Sequence, residues 1–237
     1  MLVKSQVSDY AVNPYVGCQQ RCTYCYARFM KRFTGHKELW GEFVDVKVNA
    51  PDLLRKEINR KAPGTVWISG VCDPYQPIEK KYELTRKCLG IVVGRGWPIT
   101  VQTKSPLVLR DIDLFRRKAN IEVGLSVTTA DDDIRKLFEP NAPSIEERIK
   151  ALAELHHESI RTYAMIAPML PGAEGLAAQL SGKVDYVLID RMNYRYGDWA
   201  YRRYHLEYAM SSEFFSSKGK ELASAFAEQG IECRVLF

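Results

Sequence analysis

The sequence has 237 residues, a formal net charge of +5, and is 46% hydrophobic and 27% charged. This composition is ordinary for a globular enzyme, and six unevenly spaced cysteines exclude a disulfide scaffold. No apolar run approaches the roughly 18 residues of a membrane span, and the N-terminal segment lacks the features of a secretory signal. We therefore predict one domain over residues 1–237, cytoplasmic and without a membrane partner, whose mild basic charge permits nucleic acid as a partner.

Short apolar runs alternate with longer amphipathic stretches along the chain. They predict strands at residues 11–16, 65–71, 98–103, 121–128, 161–167 and 184–190, with a seventh short strand at 232–236. Helices are predicted at 51–61, 82–95, 144–158 and 213–229, the third of which begins with a capping box of Ser144 and Glu147. This alternation predicts an α/β fold with a parallel sheet covered on both faces, and the pattern fits a partial barrel as well as an open doubly wound sheet.

Polar side chains recur where the predicted strands end. Because the carboxyl ends of parallel strands meet at one edge of a sheet, these side chains are expected to surround one site. They are Ser69, Cys72 and Asp73 after the second strand, Thr103, Lys104 and Ser105 after the third, Ser126, Thr128 and Thr129 after the fourth, Met165 and Pro168 after the fifth, and Asp190, Arg191 and Asn193 after the sixth.

Three cysteines, Cys18, Cys22 and Cys25, follow the first predicted strand with the spacing C-x3-C-x2-C. A structural zinc site takes four ligands, so zinc would need a distant Cys or His to complete it. A cubane iron–sulfur cluster has four irons, and three thiolates would leave one iron open to another ligand. Both metal sites are compatible with the spacing, and in a reducing compartment clustered thiols favour either one over a disulfide.

An aromatic residue, Tyr24, precedes the last of these cysteines, and with it the motif resembles that of the radical SAM superfamily. More narrowly, NPYVGCQQRCTYCYAR, SGVCDPYQPIEKKYELTR, TKSPLVLRDID, SVTTADDD and LFEPNAPSIEERI resemble the spore photoproduct lyase branch, over about residues 10–170. The resemblance implies an open, partial (β/α)6 TIM-type barrel, here with a short extra C-terminal strand. It also implies a [4Fe-4S] cluster, S-adenosylmethionine, and a reductant such as ferredoxin or flavodoxin.

The same resemblance implies roles for individual residues. Cys18, Cys22 and Cys25 would bind the cluster, whose open iron would bind S-adenosylmethionine for cleavage to a radical that abstracts hydrogen from a substrate. An ammonium at Lys104 suits the carboxylate of that cofactor, and Met165 and Ile166 would pack on its adenine. The full set of expected cofactor contacts is Tyr24, Ser69, Cys72, Asp73, Lys104, Ser126 and Met165.

Two residues are candidates for catalysis. The lyase branch has a hydrogen-donating cysteine where this sequence has Gly70, and Cys72 lies two residues on, on the same side of an extended strand. Cys72 is thus a candidate donor or, alternatively, a small residue beside the cofactor. Tyr26 matches a tyrosine of the lyase radical relay, or it packs beside the cysteine loop. The chain lacks the length for the lyase's DNA-gripping elements, so repair of thymine dimers is not implied.

Residues 191–208 interleave four arginines with six aromatic residues. This pattern suits stacking on bases and pairing with phosphates, peptide binding, or a lid over the barrel mouth. The substrate is left open, with nucleic acid or peptide as candidates. The alternative to radical catalysis is an iron–sulfur or zinc protein with a structural or electron-transfer role.

Overall fold

The computed structural model describes residues 1–117 and 120–237. Its strands are β1 (Leu2–Lys4), β2 (Tyr10–Val12), β3 (Tyr15–Val16), β4 (Asp45–Val46), β5 (Val66–Ile68), β6 (Ile99–Thr103), β7 (Ile121–Ser126), β8 (Arg161–Ile166), β9 (Tyr186–Ile189) and β10 (Glu232–Val235).

The α-helices are α1 (Ala50–Ile58), α2 (Glu79–Tyr82), α3 (Leu84–Arg95), α4 (Ile112–Phe115), α5 (Asp132–Phe138), α6 (Ile145–His157), α7 (Leu176–Leu180), α8 (Asp198–Arg203) and α9 (Ser212–Glu228). Short 3-10 helices cover Tyr26–Phe33, Pro106–Asp111, Ala173–Gly175, Arg195–Gly197 and Glu207–Met210.

Eight strands form one sheet in the order β1-β2-β5-β6-β7-β8-β9-β10. The β1–β2 pair is antiparallel, and every other pair is parallel. The order is linear, with β1 and β10 at its two edges, so the barrel is partial and open rather than closed. The expected fold class is confirmed, including the short C-terminal strand, while β1 was not predicted.

The first predicted strand, residues 11–16, is wrong as one element. The main-sheet strand β2 ends at Val12, and residues 15–16 pair instead with β4 in a separate two-stranded sheet. The break falls at Asn13, whose side-chain oxygen accepts hydrogen bonds from the backbone N–H of Gly70 and Val71 at 2.9 and 3.3 Å. Pro14 has no N–H to continue a ladder. The chain is thereby turned out of the sheet just before the cysteines.

Two other predicted elements are also shortened. The helix predicted at 82–95 is split, because Glu83 adopts a left-handed conformation (φ 52°) between α2 and α3. The strand predicted at 65–71 stops at Ile68, since Ser69 has φ 65°. The capping box at Ser144 and Glu147 is confirmed at the start of α6.

Alternate residues of the strands face opposite sides of the sheet. On β7, Val123 and Leu125 join the hydrophobic core between sheet and helices. Gly124 and Ser126 therefore face the barrel interior, where Gln102 donates a hydrogen bond to the Ser126 hydroxyl at 3.2 Å. The interior face is thus more polar than the outer core, which suits a polar ligand.

Within the described residues, no helix is long and apolar enough to cross a membrane.

Candidate active site

The three clustered cysteines lie on a loop that leaves β3 and ends at the 3-10 helix Tyr26–Phe33. The loop begins at Gly17, where φ is 94° and an added Cβ would lie 2.3 Å from the carbonyl oxygen of Phe43, so only glycine fits. Cys18 is buried, whereas Cys22 and Cys25 are partly exposed, and none of the three forms a disulfide. All three thiols are therefore available as ligands.

Asp73 joins this loop to the ends of β5 and β6. Its backbone N–H donates to the Cys18 sulfur at 3.4 Å. Its carboxylate accepts the Thr103 hydroxyl at 2.5 Å, the Lys104 N–H at 2.8 Å and the Gln20 amide at 3.3 Å. Both carboxylate oxygens are engaged by protein donors, so Asp73 holds the loops together beside the thiols.

Ser69 and Cys72 lie together at the end of β5. The Ser69 hydroxyl is 2.8 Å from the Cys72 sulfur, and the Cys72 thiol also donates to the carbonyl of Tyr15 at 3.6 Å. The next carbonyl, that of Gly70, accepts a hydrogen bond from the Tyr26 hydroxyl. The two candidate catalytic residues, Cys72 and Tyr26, are thus both anchored to the turn that ends β5.

A fully buried ion pair between Glu139 and Arg148 lies beside these residues and was not anticipated from the sequence. The two side chains approach to 2.5 Å. Glu139 also accepts hydrogen bonds from the hydroxyls of Tyr24 and, at 3.2 Å, Thr128. The Lys104 ammonium lies 3.9 Å from the same carboxylate. Arg148 also donates a hydrogen bond to the Ser126 carbonyl at 3.0 Å. Three residues that are expected to contact the cofactor, Tyr24, Lys104 and Ser126, therefore lie against this ion pair.

The charges in this buried group do not cancel. Burial raises the pKa of Glu139, but Arg148 and Lys104 outweigh it and hold that pKa below its ordinary value. Burial lowers the pKa of Lys104, but Cys22 and Glu139 raise it to a net increase. The Glu139 carboxylate thus faces two cations, and Asp73 is a second carboxylate near Lys104. A protonated Lys104 suits an anionic ligand group.

Burial affects the thiols of Cys18, Cys22 and Cys72 by favouring their protonated forms. Burial raises the pKa of Cys22 and of Cys72 to about 12, and it raises the pKa of Cys18 well above its ordinary value. Metal ions bind the thiolate and release the proton, so loading this site with iron would liberate protons.

Met165 and Ile166 point in opposite directions. The strand register sets Met165 beside Ser126 on one side and Leu188 on the other, on the interior face. Ile166 instead lies in the hydrophobic core between sheet and helices. The expectation that Ile166 packs on a ligand in the barrel is therefore wrong, because neighbouring strand residues face opposite sides.

Residues 191–208 form a cover beside Tyr24. A Cβ added at Gly197 would lie 3.2 Å from the Tyr24 side chain, and the buried Tyr201 ring packs on Phe138 at 4.7 Å. Tyr194 stacks on Tyr26 with ring centroids 6.0 Å apart. The segment thus buries some of its aromatic residues and exposes others, namely Tyr194, Tyr196, Trp199 and Tyr208.

The chemistry of the donor set suits a cubane cluster. In residues 1–117 and 120–237, no group of three or more His, Cys, Asp or Glu residues is arranged to hold one metal ion. In a cubane cluster each thiolate binds a separate iron, so its ligands need not converge on one point. Three free thiols on one loop, an N–H directed at Cys18 and a nearby ammonium are what such a cluster would use.

The family model of the Radical SAM superfamily matches residues 12–174, more than half of the chain. The chain belongs to the radical SAM superfamily. The matched span contains the cysteine loop, the buried ion pair and all of the expected cofactor contacts. Family membership supports radical catalysis and implies a [4Fe-4S] cluster and S-adenosylmethionine.

Two curated proteins illustrate its relatives. An uncharacterised protein of Methanocaldococcus jannaschii is 44% identical over 164 residues, which cover 69% of this chain and 61% of that protein. A radical SAM Nalpha-GlyT isomerase of Pseudomonas phage M6 is 27% identical, over 67% of this chain and 33% of that protein. The match thus spans less than two thirds of either relative.

Solved structures share the fold of this radical SAM chain. Spore photoproduct lyase complexed with dinucleoside spore photoproduct has a TM-score of 0.69 and 16% identity, covering 100% of this chain and 79% of that chain. Streptococcus suis SuiB bound to the precursor peptide SuiA has a TM-score of 0.59 and 14% identity, covering 96% of this chain and 48% of that chain. At these identities the likeness concerns the fold, and it agrees with the spore photoproduct lyase branch that the motifs indicate.

Proposed function

We propose that this protein is a radical S-adenosylmethionine enzyme with one [4Fe-4S] cluster on Cys18, Cys22 and Cys25. The observation that carries the proposal is the meeting of three unpaired thiols with Lys104 and Tyr24 at the carboxyl edge of a radical SAM barrel. When bound, the cluster and cofactor supply a 5′-deoxyadenosyl radical for abstraction of a substrate hydrogen.

The chain's own residues bind and orient the cofactor in this proposal. Lys104 pairs with the carboxylate of S-adenosylmethionine, because its ammonium is the cation that the Glu139–Arg148 pair leaves uncompensated. The Tyr24 backbone and Met165 would contact the adenine, and Ser69, Cys72 and Ser126 would contact other parts of the cofactor. Asp73 would act by fixing the cysteine loop.

Cys72 and Tyr26 are the proposed hydrogen-transfer residues. Cys72 is partly exposed and carries a thiol hydrogen, which is a suitable hydrogen donor to a carbon radical. Tyr26 lies between Gly70 and Tyr194, so it connects the end of β5 to the aromatic cover. The arrangement supports transfer of a hydrogen atom from the barrel interior toward the surface.

We further propose a nucleic acid as substrate. Tyr194 stacks between Tyr26 and Tyr196, with both centroid separations 6.0 Å, and the Arg28 guanidinium lies 4.8 Å from the Tyr196 ring. Exposed stacked rings beside arginines suit unpaired bases and phosphates. Among the similar structures, the lyase is complexed with a dinucleoside, which fits this class, whereas SuiB is bound to a precursor peptide.

The deciding experiment is anaerobic. The protein is reconstituted with iron and sulfide, reduced with dithionite and mixed with S-adenosylmethionine, and iron per chain and 5′-deoxyadenosine are measured beside a Cys25→Ala variant. About four irons per chain and deoxyadenosine that the variant fails to form are expected. Zinc in place of iron, or a cluster that never cleaves the cofactor, would instead favour a structural or electron-transfer protein.

The substrate class is tested with the same preparation. Single-stranded DNA, duplex DNA, RNA and a mixed peptide pool are added separately, and the deoxyadenosine rate is compared with the rate without addition. Stimulation by nucleic acid that a Tyr194→Ala/Tyr196→Ala variant loses is expected. Stimulation by peptides alone would refute the nucleic acid proposal and leave the radical mechanism intact.

A further inference from the structure

An exposed apolar and basic surface follows directly after the last cluster cysteine. Its apolar part consists of Phe29, Phe33 and Leu39, which are 37%, 67% and 64% exposed. The Arg32 guanidinium lies 5.5 Å from the Phe29 ring and 4.7 Å from the Phe33 ring. We call this the Phe33 surface, defined by Phe29, Lys31, Arg32, Phe33, Lys37 and Leu39.

The Phe33 surface is positively charged. Between residues 21 and 39 the sequence has five arginines and lysines and one carboxylate, Glu38. Within residues 1–117 and 120–237, the ion pairs of this region join Arg21 to Glu42 and His36 to Glu38 and Asp45. Those pairs leave out Lys31, Arg32 and Lys37, so these cations are available to an acidic partner.

The surface is also tied to the cysteine loop. Its 3-10 helix starts at Tyr26, one residue after Cys25. Arg28, on the same helix, donates to the carbonyl of Thr23 at 2.6 Å and to the carbonyl of Cys25 at 3.2 Å. A protein seated on the Phe33 surface would therefore contact the 3-10 helix that directly follows the last cluster cysteine, so an electron could enter from this side.

We propose that the Phe33 surface is the docking site of an acidic one-electron donor protein of the flavodoxin or ferredoxin type, an inference that rests on the proposed function. One electron leaves the donor's reduced flavin or iron–sulfur group and enters the cluster, so the donor is oxidised by one electron and no bond is made. A small apolar centre with a charged rim suits a weak, rapidly exchanging redox encounter.

The test compares two reductants on the same protein. Lys31→Glu/Arg32→Glu and Phe33→Ser variants are assayed for 5′-deoxyadenosine, once with dithionite and once with flavodoxin kept reduced by NADPH and its reductase. A Lys56→Glu/Arg60→Glu variant makes the same charge change on exposed residues of and just after α1. Because electrostatic steering sets encounter rates, the half-saturating flavodoxin concentration should rise about ten-fold in the charge-reversed variant.

The dithionite rate should stay within about two-fold of the unmodified protein in all three variants, since a small reductant needs no docking surface. Equal loss with both reductants, or an unchanged flavodoxin response, would overturn the docking proposal. Weaker retention on single-stranded DNA with an unchanged flavodoxin response would assign the surface to nucleic acid instead. No dithionite-driven cleavage in the unmodified protein would refute the proposed function itself, which is a separate outcome.

Discussion

Glu139 and Arg148 are two opposite charges that the fold buries completely. Side chains of this kind are rarely buried unless they are paired, and removing one partner leaves the other charge unsatisfied. Around this pair lie Tyr24, Lys104 and the Ser126 carbonyl, so the pair fixes the positions of three expected cofactor contacts. We therefore expect this interaction to contribute both to stability and to the proposed cofactor binding.

A double-mutant cycle separates the effect of this ion pair on stability from its effect on cofactor binding. Glu139→Gln should lower the free energy of unfolding by about 3–5 kcal/mol, because Arg148 is left unpaired. Adding Arg148→Met should restore most of that stability while S-adenosylmethionine still binds about ten-fold more weakly, because Lys104 and Tyr24 have lost their anchor. Urea unfolding and equilibrium dialysis of the reconstituted protein measure the two quantities.

Glu146→Gln is the matched control for that cycle. Glu146 lies at the start of α6 and pairs with Lys150, with both side chains exposed. Its loss should change stability by less than about 1 kcal/mol. Full recovery of cofactor binding in the double variant would mean that the buried pair serves stability alone.

At this scale the sequence predicted the cysteines but not the ion pair. The cysteines could be recognised because three of them lie close together in the sequence, a spacing that few sites other than metal centres require. Glu139 and Arg148 occur in helical, charge-rich stretches where a solvated face is the simpler interpretation. Their burial depends on Tyr24, 115 residues earlier than Glu139, and no local pattern contains that information.

Gly124 on β7 illustrates packing between elements. A Cβ at this position would lie 2.2 Å from the Tyr163 ring of β8, which is itself buried. Gly124→Ala should therefore destabilise the protein by about 1–3 kcal/mol through overpacking. Gly90→Ala is the control, since nothing lies within 4 Å of its added Cβ and α3 should gain up to about 1 kcal/mol. Thermal unfolding of the two variants should shift in opposite directions, and a neutral Gly124→Ala would contradict the packing argument.

The junction of α5 and α6 depends on a second carboxylate, Asp132. Its hydrogen bond from Arg135 lowers the pKa of Asp132 to about 2, and its side chain also accepts the N–H of Ile145. Because this pKa is lower when folded, the stabilisation is complete above the ordinary value of 3.8 and disappears as the pH falls through 2.

Asp132→Asn should accordingly lower the melting temperature at pH 7, and the difference from the unmodified protein should vanish near pH 2. Thermal unfolding followed by circular dichroism between these pH values measures the difference in melting temperature. Asp133→Asn, in the same turn but exposed, should change stability by less than about 0.5 kcal/mol. A difference that persists at the lowest pH would show that Asp132 acts through something other than its charge.

The type of an element was predictable where the periodic hydrophobic pattern extended over many residues, as in α6 and α9. The boundaries of the elements were less predictable. The predicted first strand failed at Asn13 because its side chain bonds the backbone of a segment 57 residues later. The predicted helix 82–95 broke at Glu83, which adopts a left-handed conformation that residues other than glycine seldom take. The first error comes from a contact distant in sequence, and the second comes from a local backbone conformation that hydrophobic periodicity does not encode.

Across the whole molecule, the carboxyl ends of the parallel strands supply the site. Alternation of strands and helices predicted that the candidate residues share this edge, and Cys72, Lys104 and Ser126 do follow or end β5, β6 and β7. The partial barrel was not distinguishable from an open sheet by periodicity alone. The family resemblance supplied that choice, and the linear strand order agrees with it.

The hydrogen bond from Tyr24 to Glu139 has a consequence for the order in which the protein is made. The cysteine loop leaves the ribosome 115 residues before the carboxylate that anchors it. At about 5–20 residues per second, translation leaves those thiols without their buried surroundings for roughly 6–23 s. Until Glu139 and Arg148 have emerged, the three thiols are exposed to oxidants and to competing metals, so insertion of the proposed cluster is expected to follow synthesis.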